Sequence, residues 1–461
     1  MQEGQNPRLS VIGLGKLGAP MAAVFGAKGF EVIGVDLNES FVNAINEGRA
    51  PVEEPELQEY LDRAQGRVRA TLDIGKAIQE SDASFIIVPT PSGSDRLFSN
   101  RYVIEAVEQI GSALRHKQGY HLVVVTSTVM PGSTGGPIRQ ALERASGRTV
   151  GQDLGLCYSP EFIALGSVVR DMLNPDMLLI GESDERAGAM LEAIYRRSVQ
   201  SKPEFHRMNF VNAELCKISV NTFVTTKISY ANMIADMCDH LPGADADVVT
   251  RAVGADSRIG RKYLKPAIGY GGPCFPRDNK AFAALGRKLG VDCMLAEATD
   301  HINEHQLQRL MRAVEASVEP AGRVAILGLS YKPHTGVIEE SQGVMLAARL
   351  SKAGFRVAVH DPLAMSAAHA VLNGAVTMAG TPEEALMASE AAIIMTPWPQ
   401  FKEIVWTAGL PTEAQRTVID PWGIVMKTAG IRLIRLGTGD WHTADNEPPY
   451  RTERAEQRNE A

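Results

Sequence analysis

The run Leu9-Ser10-Val11-Ile12 has the length and apolar character of a buried strand, and it leads straight into Gly13-Leu14-Gly15-Lys16-Leu17-Gly18. Asp36 closes the next apolar run, 18 positions after Gly18. A strand, a glycine turn, a helix start and an acid at that spacing form the fingerprint of a dinucleotide site. The glycines allow a tight turn and let a pyrophosphate approach the helix N-terminus, where unpaired N–H groups and the helix dipole favour an anion. Asp36 can accept from both adenosine ribose hydroxyls and repel a 2′-phosphate, so the cofactor expected is NAD rather than NADP. The plain alternative for the glycines is a tight turn without a ligand.

Strand-sized runs recur at Glu31 to Val35, Phe85 to Val88, Leu122 to Thr126 and Met177 to Ile180, separated by amphipathic stretches. Such alternation predicts a parallel sheet covered by helices on both faces. From Asn212 to Leu241 there is neither Gly nor Pro, and Val224, Ile228, Ala231, Ala235 and Cys238 recur at steps of 4, 3, 4 and 3. This spacing predicts one long helix that bridges domains or subunits, closed by Pro242-Gly243. A second α/β unit starts at Arg323 to Leu327, turns at Gly328 and continues through Arg356 to His360, Ala391 to Met395, Thr417 to Ile419 and Arg432 to Leu436. The fold class expected is α/β, with two Rossmann-like parallel-sheet domains joined by a long central helix. Residues 446–461 alternate Arg and Glu after Pro448-Pro449 with hardly any apolar side chain, and a disordered tail is expected there.

The 461 residues carry 47 Lys and Arg against 54 Asp and Glu, a net charge of −7. That balance supplies no field for nucleic acid or an anionic membrane, so neither is an expected partner. The polar start, Met1 to Arg8, lacks the apolar stretch of a secretion signal, and a cytoplasmic protein is expected. Five scattered cysteines without a C-x-x-C pair suggest neither a disulfide framework nor a thiolate metal site.

One cysteine differs in its surroundings. Gly271-Gly272-Pro273-Cys274-Phe275-Pro276-Arg277-Asp278 sets Cys274 behind two glycines, beside Arg277, and at a helix start, with Pro276 suited to the first helical position. Each feature lowers a thiol pKa and makes Cys274 a candidate nucleophile; a structural cysteine in a tight turn is the competing reading. Asp278 is either part of that site or a helix-start carboxylate. Lys217 and Asn221 lie four apart on the long helix and can cradle a developing alkoxide, or can simply be a solvated face. His301 and His305 share that spacing without the H-E-x-x-H pattern, and no metal is expected.

Taken in order, these segments resemble the nucleotide-sugar 6-dehydrogenases, the UDP-glucose and GDP-mannose dehydrogenase family, and within it most the UDP-glucose branch. The match runs from Leu9 to Leu436 through Val88-Pro89-Thr90-Pro91, Ser127-Thr128-Val129, Ser159-Pro160-Glu161-Phe162 and the Lys217 helix. It continues in Asp256-Ser257-Arg258-Ile259-Gly260, the Cys274 motif and Gly328-Leu329-Ser330-Tyr331-Lys332-Pro333. The resemblance implies an NAD-binding domain at 1–203, a central helical dimerisation and catalytic region at 204–305, and a C-terminal sugar-nucleotide-binding domain at 316–445. It implies a four-electron oxidation at C6 of a sugar nucleotide, UDP-glucose to UDP-glucuronate, through a thiohemiacetal and a thioester on Cys274.

Residue by residue, the resemblance assigns catalysis to Cys274, Lys217, Asn221, Asp278, Glu161 and Thr128. It assigns cofactor contacts to Gly13, Gly15, Lys16, Leu17, Gly18, Asp36, Pro89, Thr90, Ser127, Thr128 and Arg277. Substrate contacts fall to Glu161, Phe162, Lys217, Asn221, Tyr263, Leu264, Lys265, Gly271, Phe275, Tyr331 and Lys332, with Arg258 reaching into a neighbouring subunit, so that a homodimer or larger homo-oligomer is implied. The chain departs from the pattern at Leu165, Glu339 and Phe41, where the family has Glu, Arg and a basic residue, and near Asp420-Pro421-Trp422-Gly423, which lacks the usual arginine. Three other readings compete: the same reaction on GDP-mannose or another UDP-hexose; a two-electron hydroxyacid dehydrogenase, against which Cys274 and the extra α/β domain argue; and a nonenzymatic binding module, against which Lys217, Asn221, Cys274 and Asp278 argue.

Overall fold

The structure, a computed structural model, describes residues 6–411 and 414–439. Its contacts divide the chain into two compact units, Met1–Val220 and Asn221–Ala461, with the division inside the long helix Phe210–Asp239. The expected disordered tail at 446–461 lies outside the described residues.

The first unit holds eight strands: β1 (Leu9–Ile12), β2 (Val32–Val35), β3 (Val68–Thr71), β4 (Ala83–Ile86), β5 (His121–Val125), β6 (Leu154–Tyr158), β7 (Met177–Glu182) and β8 (Glu204–Met208). They are ordered β3-β2-β1-β4-β5-β6-β7-β8. The period-2 pattern places Leu122 and Val124 of β5 in one core with Ala19, Val24 and Phe25, and Val123 and Val125 in the other with Val103, Val107 and Ile110. Each such buried side chain contributes about 1.5–3 kcal/mol. The sheet is parallel except at β6 and β7, where Cys157 and Tyr158 face Glu182 and Gly181 in antiparallel register. The connection there contains only the six-residue helix Val168–Leu173, about 9 Å long at 1.5 Å per residue. It does not carry the chain back past β6, so β7 runs the other way.

The second unit contains β9 (Arg323–Leu327), β10 (Arg356–His360), β11 (Thr377–Met378), β12 (Ala391–Ile394), β13 (Arg416–Ile419) and β14 (Ile431–Ile434), ordered β11-β10-β9-β12-β13-β14. Every pair in it is parallel. Counted within its own sheet, this is the order 3-2-1-4-5-6, the same as the first six strands of the first unit and the doubly wound dinucleotide order. Strands β3, β6, β8 and β11 were not among the apolar runs read from the sequence; β3 and β8 are edge-ward and largely polar, and β11 has two residues.

The likeness extends to the first turn of each sheet. Gly13 N donates to Val35 O and Gly328 N to His360 O, both glycines adopt φ near +100°, and an added Cβ would collide with Ile87 O at Gly13 and Thr396 at Gly328. In the first turn Gly18 packs on Gly13 O five residues later; in the second, Gly343 packs on Gly328 O after a fifteen-residue excursion. The acid closing the second strand diverges accordingly. Among the described residues Asp36 accepts only from Leu14 N at 2.6 Å and Asn38 N at 2.8 Å. Its counterpart Asp361 is 1% exposed and accepts from Leu329 N, Ser330 N, Ser330 Oγ and Trp398 Nε1 on Oδ2, and from Leu363 N and Ala364 N on Oδ1.

Asp361→Ala is expected to destabilise the second unit by on the order of 3 kcal/mol or more, since several buried donors lose their acceptor together. Urea unfolding of the full chain followed by Trp fluorescence measures it; an unchanged midpoint would show that water replaces the carboxylate without cost.

Candidate active site

In the first unit the glycine turn opens on a cavity of about 830 Å³ lined by Gly13, Gly15, Lys16, Leu17, Gly18, Asp36, Leu37 and Pro89 among others. The helix Gly18–Ala27 begins with no side-chain cap and no acid in its first turn, which leaves its N–H groups and positive dipole end to a ligand. A carboxylate offers about four acceptor sites, so Asp36 keeps two for ribose hydroxyls after its two backbone bonds. Leu37, 92% exposed, and Leu72 offer an apolar wall beside it. These features fit NAD. Phe41, in place of a basic residue, is half-buried against the first core.

Thr90 and Ser127 fasten the ends of β4 and β5 rather than standing open. Ser127 Oγ accepts from Val88 N at 2.9 Å and donates to Val88 O at 2.7 Å, and Thr90 Oγ1 donates to Thr128 O at 2.7 Å. These bonds fix the loops that carry both residues, and Pro89 lies in the cavity wall.

After β6 the segment with Glu161 and Phe162 is gathered against Lys217 of the long helix. Lys217 Nζ donates to Glu161 O at 2.7 Å and lies 4.6 Å from the centre of the Phe162 ring. Glu161 also lines a narrow, mostly apolar cavity with Met21, Phe25, Met172, Leu178 and Tyr195. Burial pushes its carboxyl up to about 7, with Lys217 pulling the other way. Among the described residues no hydrogen bond joins Thr128 to Glu161. Two residues that no motif singles out hold this segment: Tyr195 OH donates to Ser159 Oγ at 2.9 Å, and Glu54 accepts from Gly166 N and Val168 N, both at 2.9 Å. No local pattern marks Glu54, because its partners are more than a hundred residues away. Leu165 is half-buried in the same segment.

In the second unit Cys274 is exposed and forms the N-cap of the helix Phe275–Leu289. Phe275 takes the first helical position and Pro276 the second, one later than the sequence suggests. Cys157 and Cys238, by contrast, are buried, and burial raises both thiols. Asp278, fully buried in the first turn, accepts from Asn221 Nδ2 at 2.6 Å and from Arg277 Nε at 3.2 Å. Arg277, which the resemblance assigns to the cofactor, pairs with Asp278. Tyr263 and Phe275 meet edge to face at 6.2 Å, the Tyr331 ring covers Gly272 beside Gly271, and Lys332 Nζ lies 5.9 Å from the Tyr331 ring.

Of the remaining positions, Leu264 is buried, Lys265 is exposed, and Arg258 is exposed and paired with Asp256 at 2.6 Å. Glu339 acts through its backbone, accepting from Gly272 N at 3.0 Å. Trp422, where an arginine was expected, packs half-buried on the cores of both faces of the second sheet, in a loop that Asp420 holds through Trp422 N and Val425 N. His305 pairs with Asp236 at 2.9 Å, and among the described residues no three His, Cys, Asp or Glu gather as a metal would need. No helix of the described residues is long and apolar enough to cross a membrane.

Three family models match the chain in sequence order. They are those of the UDP-glucose/GDP-mannose dehydrogenase family: its NAD binding domain over residues 7–199, its central domain over 211–305 and its UDP binding domain over 325–427. The UDP-glucose 6-dehydrogenase AglM of Haloferax volcanii is 35% identical over 431 residues, covering 92% of this chain and 98% of that protein. The GDP-mannose 6-dehydrogenase of Pseudomonas putida is 34% identical over 358 residues, covering 77% and 80%. The structure of a UDP-glucose dehydrogenase from Pyrobaculum islandicum superimposes with a TM-score of 0.83 at 36% identity, covering 91% of this chain and 95% of that one.

The Glu161 carboxyl generates a pH prediction. Its folded pKa, about 7, exceeds the ordinary unfolded value of roughly 4.3, so between those pH values the folded state holds a proton that the unfolded chain has released. Stability must then fall as pH rises through this window. Glu161→Gln, which stays neutral, is expected to match the native protein in Tm near pH 4.5 and to exceed it increasingly up to about pH 8. A gap that does not widen with pH would mean that the carboxyl is solvated.

Proposed function

This chain belongs to the UDP-glucose/GDP-mannose dehydrogenase family, and from that premise we propose that it oxidises the C6 alcohol of UDP-glucose to the carboxylate, yielding UDP-glucuronate. It is an NAD-dependent nucleotide-sugar dehydrogenase. The observation that carries the choice of substrate is coverage: the UDP-glucose enzyme of Haloferax volcanii aligns over 92% of the chain, the GDP-mannose enzyme over 77%. The domain plan that goes with this reading is 1–203 for the cofactor, 204–305 for catalysis and dimerisation, and 316–445 for the sugar nucleotide, in a cytoplasmic enzyme.

Bound NAD, held by the glycine turn and Asp36, supplies the acceptor for the hydride that C6 loses in each oxidation. The chain's residues handle protons, charge and covalent capture. Asn221, oriented by its bond to Asp278, and Lys217 on the preceding turn steady the oxygen at C6 as it gains negative charge. Lys217 with Asp278, through a water, takes the hydroxyl proton. Once the aldehyde has formed, it has no good hydride to give until a nucleophile adds. The Cys274 sulfur bonds to C6, giving a thiohemiacetal whose oxygen takes up a proton. Loss of the second hydride and that proton leaves a thioester. Water then attacks the thioester carbon, the C–S bond breaks, and the carboxylate and the thiol are released. Glu161, with a proton affinity near neutrality, and Thr128 assist that hydrolysis. Tyr263, Phe275, Tyr331, Lys332, Phe162, Gly271, Leu264 and Lys265 shape the substrate site.

Incubation with UDP-glucose, GDP-mannose and a UDP-N-acetylhexosamine tests the substrate directly. UDP-glucose should give two NADH per sugar; faster turnover of GDP-mannose would overturn the choice of base and sugar. Cys274→Ser should slow turnover by orders of magnitude, because serine is a far poorer nucleophile at neutral pH and its ester hydrolyses more slowly. Intact mass should show a trapped ester, or NADH should stop at one per site.

The functional unit in this reading is a homodimer. Phe223, Tyr230, Met233 and Met237 recur at steps of 7, 3 and 4 on the long helix and are all exposed, a stripe that suits a second copy of the chain. Arg258, exposed after the following helix Ala246–Ala255, would complete the neighbour's site. Met233→Glu combined with Met237→Glu is expected to give monomers in sedimentation velocity with activity largely lost; an unchanged dimer would place the interface elsewhere.

A further inference from the structure

Between Leu264 and Cys274 the chain forms neither helix nor strand, yet its backbone groups are held from three helices. Asn232, on the long helix, accepts from Ala267 N at 3.0 Å and donates to Ile268 O at 2.9 Å. Asn303, on the helix Met294–Glu315, accepts from Tyr270 N at 2.7 Å and donates to Tyr270 O at 3.0 Å. Gln342 Nε2 adds a bond to Tyr270 O at 3.2 Å, and Asp300, one turn before Asn303, accepts from the Tyr270 hydroxyl at 2.6 Å.

A carboxamide carries an acceptor and a donor side by side, as the backbone of a neighbouring strand does, so Asn303 pairs with both groups of one residue and fixes its dihedrals. Tyr270 is four residues before Cys274. On the far side Cys274 is tied to the helix Phe275–Leu289, where Pro276 stiffens the first turn. Only Gly271, Gly272 and Pro273 lie between the two anchors, and Gly272, at φ 84°, is in a region that only glycine adopts freely. Among the described residues one backbone bond, Gly272 N to Glu339 O at 3.0 Å, restrains this glycine pair, so release of the Tyr270 anchor loosens the approach to the thiol.

We propose that Asn303 is a positioning residue for the reaction, holding Tyr270 so that the Cys274 sulfur is presented at the helix N-terminus in a single place. This rests on the reading of Cys274 as the nucleophile. Asn303 acts through the loop, and misplacing a reacting atom by about 1 Å can cost about 100-fold in rate.

The test uses the full chain with NAD and UDP-glucose and compares Asn303→Leu and the isosteric Asn303→Asp with the native enzyme. Expected are a kcat lowered by about 10- to 100-fold in Asn303→Leu and less in Asn303→Asp, with KM for UDP-glucose changed by less than about threefold. The pH midpoint for alkylation of Cys274 by iodoacetamide, followed by peptide mass, should rise as the thiol leaves the helix N-terminus. An unaltered kcat and alkylation profile in a folded variant overturns the proposal, as does a raised KM with unaltered kcat. Should Asn303→Leu fail to fold, Asn303→Asp is decided on the same criteria. Native enzyme that still makes two NADH per sugar after complete alkylation of Cys274 overturns the nucleophile reading itself. Native enzyme inactivated by alkylation, with variants unchanged, overturns only the role of Asn303.

Discussion

A carboxylate at the end of the second strand organises both halves of this molecule, and what it is bonded to decides what each half can bind. In each sheet a glycine with φ near +100° turns the chain out of the first strand against the loop after the fourth, and the acid ties that turn to the strand next to it. Asp36 is left with two free acceptor sites at the edge of a large cavity. Asp361 accepts from six donors, Ser330 and Trp398 among them, which saturates its acceptor sites. The same strand order thus yields one open dinucleotide turn and one closed turn. The closed one gives its residues to a long excursion carrying Tyr331 and Lys332.

Charge states at the site follow from partners more than from depth. Asp278 is fully buried but has Asn221 and Arg277 as donors, which compensate its charge. Glu161 lies in a mostly apolar cavity with Lys217 as a single opposing charge, and its proton affinity rises toward neutrality. The two carboxyl groups thus differ in their partners, Asp278 held by two donors and Glu161 with a proton affinity raised toward neutrality by burial. The cysteines divide in the same way. Cys157 and Cys238 are buried, and burial raises both thiols, while Cys274 is exposed at the start of the helix Phe275–Leu289.

Backbone order without secondary structure is the third theme. The segments before Cys274 and after Tyr158 are irregular, and each is held by side chains from distant elements: Asn232, Asn303 and Gln342 for the first, Glu54, Tyr195 and Lys217 for the second. Because buried backbone groups must find partners, such clamps substitute for a ladder and let a loop keep one conformation.

What the sequence determined by itself was whatever depends on local pattern. The glycine turn with Asp36, the alternation in β5, the thirty-residue helix and the Gly-Gly-Pro-Cys motif each follow from spacing within one element, and they sufficed for fold class, cofactor and family. Tertiary structure alone decided the reversal at β7, the closing of Asp361, the raised Glu161 and the grip of Asn303 on Tyr270. It also showed that Ser127, Thr90 and Arg277 tie segments together within the fold. The reason is physical: a hydrogen bond or a desolvated charge belongs to a pair of groups. When the partner lies tens or hundreds of residues away, no window along the chain contains both.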